Sequence, residues 1–422
     1  MKAPFLLTMA DYYGTLAAVR CLGRAGIPVT VAEGRWLAPA RWSRFVTQRV
    51  ACPSVSDTEA FLEWLLRFGE QQPGHVLYPT SDELAWLFAL HREALSRNFQ
   101  LYQPPFESLY GLLNKRHLLE ACQAVGIEAP RTYFPTSDAE LVQVAREAGF
   151  PVLIKPQTQI LFESHVKGAQ VESASALVSR YREFVRKNRY GAELLARDPG
   201  VVHPMVQAFH PEAAQDIYSL SGFVDESGTL SGLRAAIKVL QRPRKLGIGL
   251  CFEHAEVEPA LAEKLVALCQ HVWYHGIFEV EFIRVGEAFL LIDFNPRFYS
   301  QMGFEIARGL PLPVLVWLAA TGNREALGQA LEISASWAPG GRPVYSHRFI
   351  LEVLLRAQGL SGKLSATEVS YWRSWYARAE GQRTDAVLDA ADLVPSLVDA
   401  VVQLKGYARH PRSFLRSMVL DR

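Results

Sequence analysis

The chain has 422 residues, 49% of them hydrophobic and 21% charged, with 29 Gly and 24 Pro spread along it; that exceeds what one hydrophobic core sustains and excludes a disordered chain, so two or three lobes with a cleft between them are expected. Lys and Arg (44) exceed Asp and Glu (43) by one, which leaves no global field to steer toward nucleic acid or an anionic membrane. Five cysteines without a C-x-x-C pair, Cys251 and His254 without a second ligand pair, and no run of about 20 apolar residues speak against a disulfide framework, a zinc site and a membrane span, so a cytoplasmic protein with reduced thiols is expected.

The first predicted element is the apolar run Pro4 to Met9, followed by Asp11-Tyr-Tyr-Gly14, a helix-period stretch from Thr15 to Ala25 and a β-branched run from Ile27 to Ala32. Strand, helix and strand in that order predict a right-handed βαβ unit opening a parallel sheet. Gly14 alone falls far short of G-x-G-x-x-G, so the lobe does not read as a dinucleotide site; an anionic ligand at the carboxyl edge of the sheet fits better. Asp57 to Phe68 reads as a capped amphipathic helix and Val76 to Asp82 as a strand running into a polar loop.

From Lys115 a helix-period segment runs to Gly126, and Pro130 then enforces an extended connection. A helix from Asp138 to Ala148 leads to Phe150-Pro-Val-Leu-Ile-Lys-Pro156, a short apolar strand carrying Lys155. Apolar runs on either side of His210-Pro211, a hairpin signature at Gly222 to Leu230 and a strand from Leu233 to Leu240 come next. The basic loop Gln241 to Gly249 follows, as solvated as it is available to phosphate or a substrate carboxylate. Pro259 to Trp273 is helical by spacing, and Phe278–Val285 with Ala288–Phe294 forms a second hairpin.

That hairpin carries the chemistry. Asp293 and Asn295 are two apart and share a strand face. A turn near Gly286-Glu287 brings Glu281 beside them, so three hard oxygen donors converge in an apolar sheet, a set that suits magnesium held through carboxylates and nucleotide phosphates. Without a cation the two acids repel, unless Arg284 or Arg297 satisfies them.

The pattern E-F-x(10)-D-x-N-P-R resembles the metal-binding end of the ATP-grasp superfamily, which includes biotin carboxylase and D-alanine–D-alanine ligase. The resemblance implies that Glu281, Asp293 and Asn295 hold magnesium, with manganese an alternative, on the phosphates of ATP, and that Arg297 stabilises the charge developing in phosphoryl transfer. Asn114-Lys115 is similar to the family's opening segment, and Lys155 lies on the strand similar to the one that carries its second ATP lysine. Pro204-Met-Val-Gln-Ala-Phe209 is similar to the connecting strand, which implies that Gln207, Ala208 and Phe209 read the adenine and Asp216 the ribose. Lys238 is assigned to phosphate or the substrate carboxylate. The flap Gln157 to Gly168 has no glycine before its end and finishes in Lys167, closer to a D-aspartate-ligase-like branch than to biotin carboxylase.

The fold class so implied is α/β, with α+β character in the ATP-grasp part. A pre-ATP-grasp parallel-sheet lobe (1–113) precedes a two-subdomain ATP-grasp module (114–335, flap 151–206), and a mainly helical region closes the chain (336–422). The expected activity is a ligase joining a small carboxylate to an amine, an amino acid or peptide-like molecule, through an acyl phosphate. A carboxylase, a thiol ligase and a non-catalytic ATP-binding protein stay open. No nucleic-acid or membrane partner is expected, and a homodimer is compatible. Tyr345 to Ala357 and Pro395 to Leu404 read as helices packed on the core or on a second subunit, and the basic stretch from Lys405 to Arg422 reads as a solvated helix face.

Overall fold

The computed structural model describes residues 2–163, 168–214, 216–244, 247–379 and 382–421. Its architecture is α/β, built on three main sheets. The first is parallel throughout and five-stranded. Phe5–Leu7 lies at its centre, Val29–Ala32 and Gln48–Val50 lie to one side, and His75–Leu77 and Phe99–Leu101 to the other. Strands of three or four residues suffice because Phe5–Leu7, Val29–Ala32 and His75–Leu77 are buried along their whole length, as expected where helices cover both faces. The helices Tyr13–Arg24, Thr58–Gln71 and Asp82–Leu90 cross over between these strands. Asp57 and Ser81 cap the last two by accepting from Ala60 N and Leu84 N. Because the winding reverses between the first strand and His75–Leu77, a crevice opens at their carboxyl ends.

The second sheet is antiparallel: Thr132–Tyr133, Met205–Ala208, Val152–Lys155 and Ala169–Val171 in that order. Helices Asp138–Glu147 and Ala174–Lys187 seal it through Leu141, Val144, Leu177 and Phe184 against Ile154 and Val206.

The third sheet has seven strands: Ala288–Asn295, Gly276–Val285, Ile217–Val224, Leu230–Arg242, Ile248–Ala255, Val344–Ser346 and Arg383–Asp385, with only the last pair parallel. Helices Lys115–Ala124 and Pro259–His271 close one face over Tyr218, Leu220, Phe278 and Phe282. The opposite face of this sheet carries the polar residues discussed below.

The last part of the chain is mainly helical, yet it lends the third sheet two strands. Tyr345 and Ser346, read as helical from their spacing, are extended because they pair with Phe252 and Cys251. The helix begins only at Arg348, where the His347 ring accepts from Ile350 N, and runs to Leu360. Helix Val394–Arg409 docks on the first lobe: buried Asp399 meets His347 Nε2 at 2.9 Å and accepts from Tyr13 OH at 3.4 Å. Just before it, buried Asp392 accepts from Arg20 Nε and Ser43 Oγ. Among the described residues, no helix is long and apolar enough to cross a membrane.

Candidate active site

The hairpin register puts Glu281 directly opposite Asp293 and Glu279 opposite Asn295, with a bulge immediately after Glu281. Gly286, at a φ of +60°, makes the turn that sets this register. Period two then puts Glu279, Glu281, Asp293 and Asn295 on one face. Two carboxylates facing each other at about 5 Å repel by roughly 3 kcal/mol at an effective dielectric near 20. The repulsion is offset by lysines rather than by Arg284 or Arg297. Lys115 Nζ forms a short ion pair with Asp293 Oδ1, and Lys238 Nζ lies 2.5 Å from Glu281 Oε1.

Each lysine arrives from a different element. Lys115 is the first residue of a helix whose N-cap, Asn114, accepts from Arg116 N. Lys238 projects from Leu230–Arg242, two strands away from Glu281 in the same sheet. Lys155 ends its strand in the second sheet, donates to Gln207 Oε1 at 3.2 Å and, among the described residues, meets no carboxylate within salt-bridge distance. Lys115, Lys155, Glu281 and Asp293 line one cavity of about 230 Å³, together with Asp82 and Gln159.

The electrostatics follow from these contacts. Burial would raise the Asp293 carboxyl, but Lys115 outweighs it and holds the group below its ordinary range. Burial would lower Lys238, but Glu281 outweighs it and raises the ammonium. For Lys155 burial wins, reinforced by Lys115, and its pKa is lowered. Among the described residues this desolvated ammonium donates to a carboxamide, while Asp293 and Glu281 attract it from across the cavity.

Arg297 donates to Asp82 Oδ1 at 2.6 Å and to Asn295 Oδ1 at 2.7 Å, and its contact with Tyr12 OH is 3.4 Å. It therefore joins the first lobe to the hairpin. Asn295 Nδ2 donates to Glu279, so this amide is held at both ends while its oxygen keeps one lone pair.

The remaining predicted residues divide. Gln207 is buried between Lys155 and Thr132 Oγ1. The N–H groups of Ala208 and Phe209 are already donated, to Arg131 O at 2.8 Å and Pro151 O at 3.3 Å. Asp216 pairs with Arg284 at 3.0 Å, and its Oδ1 has no partner among the described residues. Lys167 lies outside the described residues. In the basic loop, Arg244 pairs with Asp421 at 2.9 Å and so turns to the C-terminal end of the chain, away from the site.

Sequence reasoning passed over Glu279 and Asp82. Glu279 is almost fully buried, receives Asn295 and Gln301, and is pushed well above the usual carboxylate range by burial and by Glu281. The alternation Glu279-Val-Glu281 carried the signal for it. Asp82 had none, since its partner lies 215 positions away.

A larger cleft of about 1100 Å³ opens at the carboxyl ends of the first sheet and is closed by residues 161–163 and 191–193. Asp11, Glu33, Arg35, Ser81 and Glu83 are among its walls. Ser81 and Glu83 line this cleft while Asp82 between them lines the smaller cavity, so the start of helix Asp82–Leu90 borders both.

The metal that the resemblance implies has a donor set of the right chemistry, two carboxylates and an amide oxygen, all hard ligands. Among the described residues, no three His, Cys, Asp or Glu side chains converge as a ready metal cage.

No protein-family model and no curated protein matches the chain. Solved structures do. The L-amino acid ligase from Bacillus licheniformis is similar at a TM-score of 0.61 and 13% identity, over 81% of this chain and 79% of that one. The biotin carboxylase domain of Hydrogenobacter thermophilus 2-oxoglutarate carboxylase, solved with MgADP, ADP and bicarbonate, gives 0.62 and 14% over 76% and 70%. N5-carboxyaminoimidazole synthetase from Staphylococcus aureus gives 0.56 and 14% over 76% and 78%. At such identities the likeness is one of fold alone, shared with these ligase, carboxylase and synthetase structures.

Proposed function

We propose that the chain is an ATP- and magnesium-dependent ligase that activates a small carboxylate as an acyl phosphate and joins it to an amine. The observation that supports this reading is the convergence of Lys115, Lys155 and Lys238 with Glu281 and Asp293. Three ammonium groups brought to two carboxylates from two sheets and a helix end form a site that gains by exchanging partners. The ammoniums would turn to phosphate oxygens, which would leave the carboxylates to hold a divalent cation.

Glu281, Asp293 and the free lone pair of Asn295 would hold the cation, which supplies charge neutralisation at the transferring phosphoryl group. Lys115 and Lys155 would bind and orient the phosphates, Lys238 the substrate carboxylate or the γ-phosphate, and Arg297 the charge developing during transfer. Since the N–H groups of Ala208 and Phe209 are committed within the sheet, Gln207 to Phe209 would meet the adenine mainly through carbonyl oxygens. The unpartnered Oδ1 of Asp216 is its remaining acceptor for a ribose hydroxyl. The second substrate would enter through the larger cleft, whose loop 81–83 borders the phosphates. Among the solved structures, the L-amino acid ligase performs chemistry of this class by its name, and two others are a carboxylase domain and a synthetase. The glycine-poor flap favours the D-aspartate-ligase-like branch over a carboxylase.

The test is ADP release with magnesium and ATP against pooled amino acids and small carboxylic acids, for the native chain and for Asp293→Asn. Pool-dependent release that the variant abolishes is expected. ATP binding without release from any pool would overturn the ligase reading in favour of a binding protein.

A further inference from the structure

Helix Val394–Arg409 docks by one side only. Pro395 and Asp399 are buried, and Asp399 is bonded to His347 and Tyr13. At 100° per residue, the opposite side gathers Val394, Leu397, Val401, Leu404 and Ala408 into one stripe. These side chains face solvent: Val394 is 49% exposed, Leu397 67%, Val401 51% and Leu404 57%. Leu393, just before the helix, is exposed as well, and so is Leu415 beyond its end.

The exposed charges on the helix and on the chain after it have one sign. Lys405 and Arg409 flank the stripe on the helix, and exposed Arg412 and Arg416 follow. From Leu393 onward the described carboxylates are Asp399, which is buried, and Asp421, which is paired with Arg244. The helix read as packed on the core or on a second subunit packs on the core through Pro395 and Asp399, while its apolar stripe is left uncovered by the described residues.

We propose that this face rests on an anionic lipid surface. Charge and area decide among occupants. A second copy would bring the same cationic face to the interface. Six exposed side chains offer on the order of 500 Å², against the roughly 800 Å² per partner that a stable protein interface buries. A convex stripe also presents no groove for a partner helix. A bilayer needs no matching groove: Leu and Val enter the acyl boundary while Lys and Arg meet lipid phosphates, the arrangement of an in-plane amphipathic helix. The contact is peripheral, since the helix has 16 residues and none in the described chain can span a membrane.

The experiment is pelleting of the full chain with vesicles of phosphatidylcholine containing roughly 30% phosphatidylserine, against phosphatidylcholine alone, at low and high salt. At least about tenfold more protein is expected on the anionic vesicles at low salt, with loss at high salt. Leu397→Asp/Val401→Asp should abolish pelleting, as should the charge reversal Lys405→Glu/Arg409→Glu, which leaves the stripe intact. Because these side chains face solvent, both variants should keep the native unfolding midpoint and the ATP turnover in solution, which separates this inference from the ligase reading. Absence of pelleting on either vesicle, or pelleting unchanged in the variants, overturns the proposal. Self-association that Leu397→Asp abolishes, with no vesicle binding, would assign the stripe to a second copy instead.

Discussion

At the scale of single residues, the site is a set of charges held in check by one another. Lys155 is the least satisfied of them, since burial and Lys115 depress its pKa and, among the described residues, its hydrogen bond is to Gln207. The unfolded chain binds that proton more tightly than the folded one. Stability of the unliganded protein should therefore rise with pH from the depressed pKa up to the ordinary lysine value of about 10.4. Lys155→Met should flatten that slope in denaturant titrations at several pH values, and weaken ATP binding at least about tenfold by calorimetry, a change of roughly 1.4 kcal/mol. Glu279 poses the opposite case, with both oxygens accepting from amides. Glu279→Gln sets an NH₂ group against the donors of Asn295 and Gln301. A loss of about 1–3 kcal/mol is expected for that mismatch, read as a lower denaturation midpoint.

At the scale of elements, the hairpin is the part of the site most legible in the sequence. Apolar alternation, Gly286 and the spacing from Glu281 to Asp293 imply a register that the strands adopt. Gly286→Val puts a β-branched residue at a φ of +60°, costing about 1–2 kcal/mol locally. Its consequence should be larger in function than in stability, because a slipped turn moves Glu281 off Asp293. Magnesium-dependent ATP binding is the readout, and an unchanged affinity would show that the register survives. The sheet's outer strands were not legible, because three residues each at Val344–Ser346 and Arg383–Asp385 carry too little pattern to compete with the helical spacing that follows Ser346. The pairings of Arg244 with Asp421 and Arg284 with Asp216 were equally hidden, since sequence shows a charge but not which neighbour folding delivers to it.

At the scale of the molecule, the first lobe is fastened to the hairpin at the site itself. Arg297 reaches Asp82, Phe298 N donates to Pro79 O at 3.1 Å, and Gly14 sits so close to Tyr299 that a Cβ there would lie 2.5 Å from its carbonyl oxygen. Asp82→Ala would leave a largely buried guanidinium without its carboxylate. A loss of up to about 3 kcal/mol is expected, below the value for a fully buried pair because both groups keep some water. A lower thermal midpoint together with weaker ATP binding would mark Asp82 as part of both fastening and site. A lower midpoint with unchanged binding would confine it to fastening.

At the start of helix Asp82–Leu90, the cap Ser81 and Glu83 line the large cleft while Asp82 between them lines the lysine-lined cavity. A molecule that presses Ser81 or Glu83 moves Asp82, and with it the guanidinium of Arg297. Occupancy of the two chambers is then expected to be linked, and whatever factor the occupant of the cleft imposes on nucleotide affinity, the nucleotide would return on the affinity of that occupant.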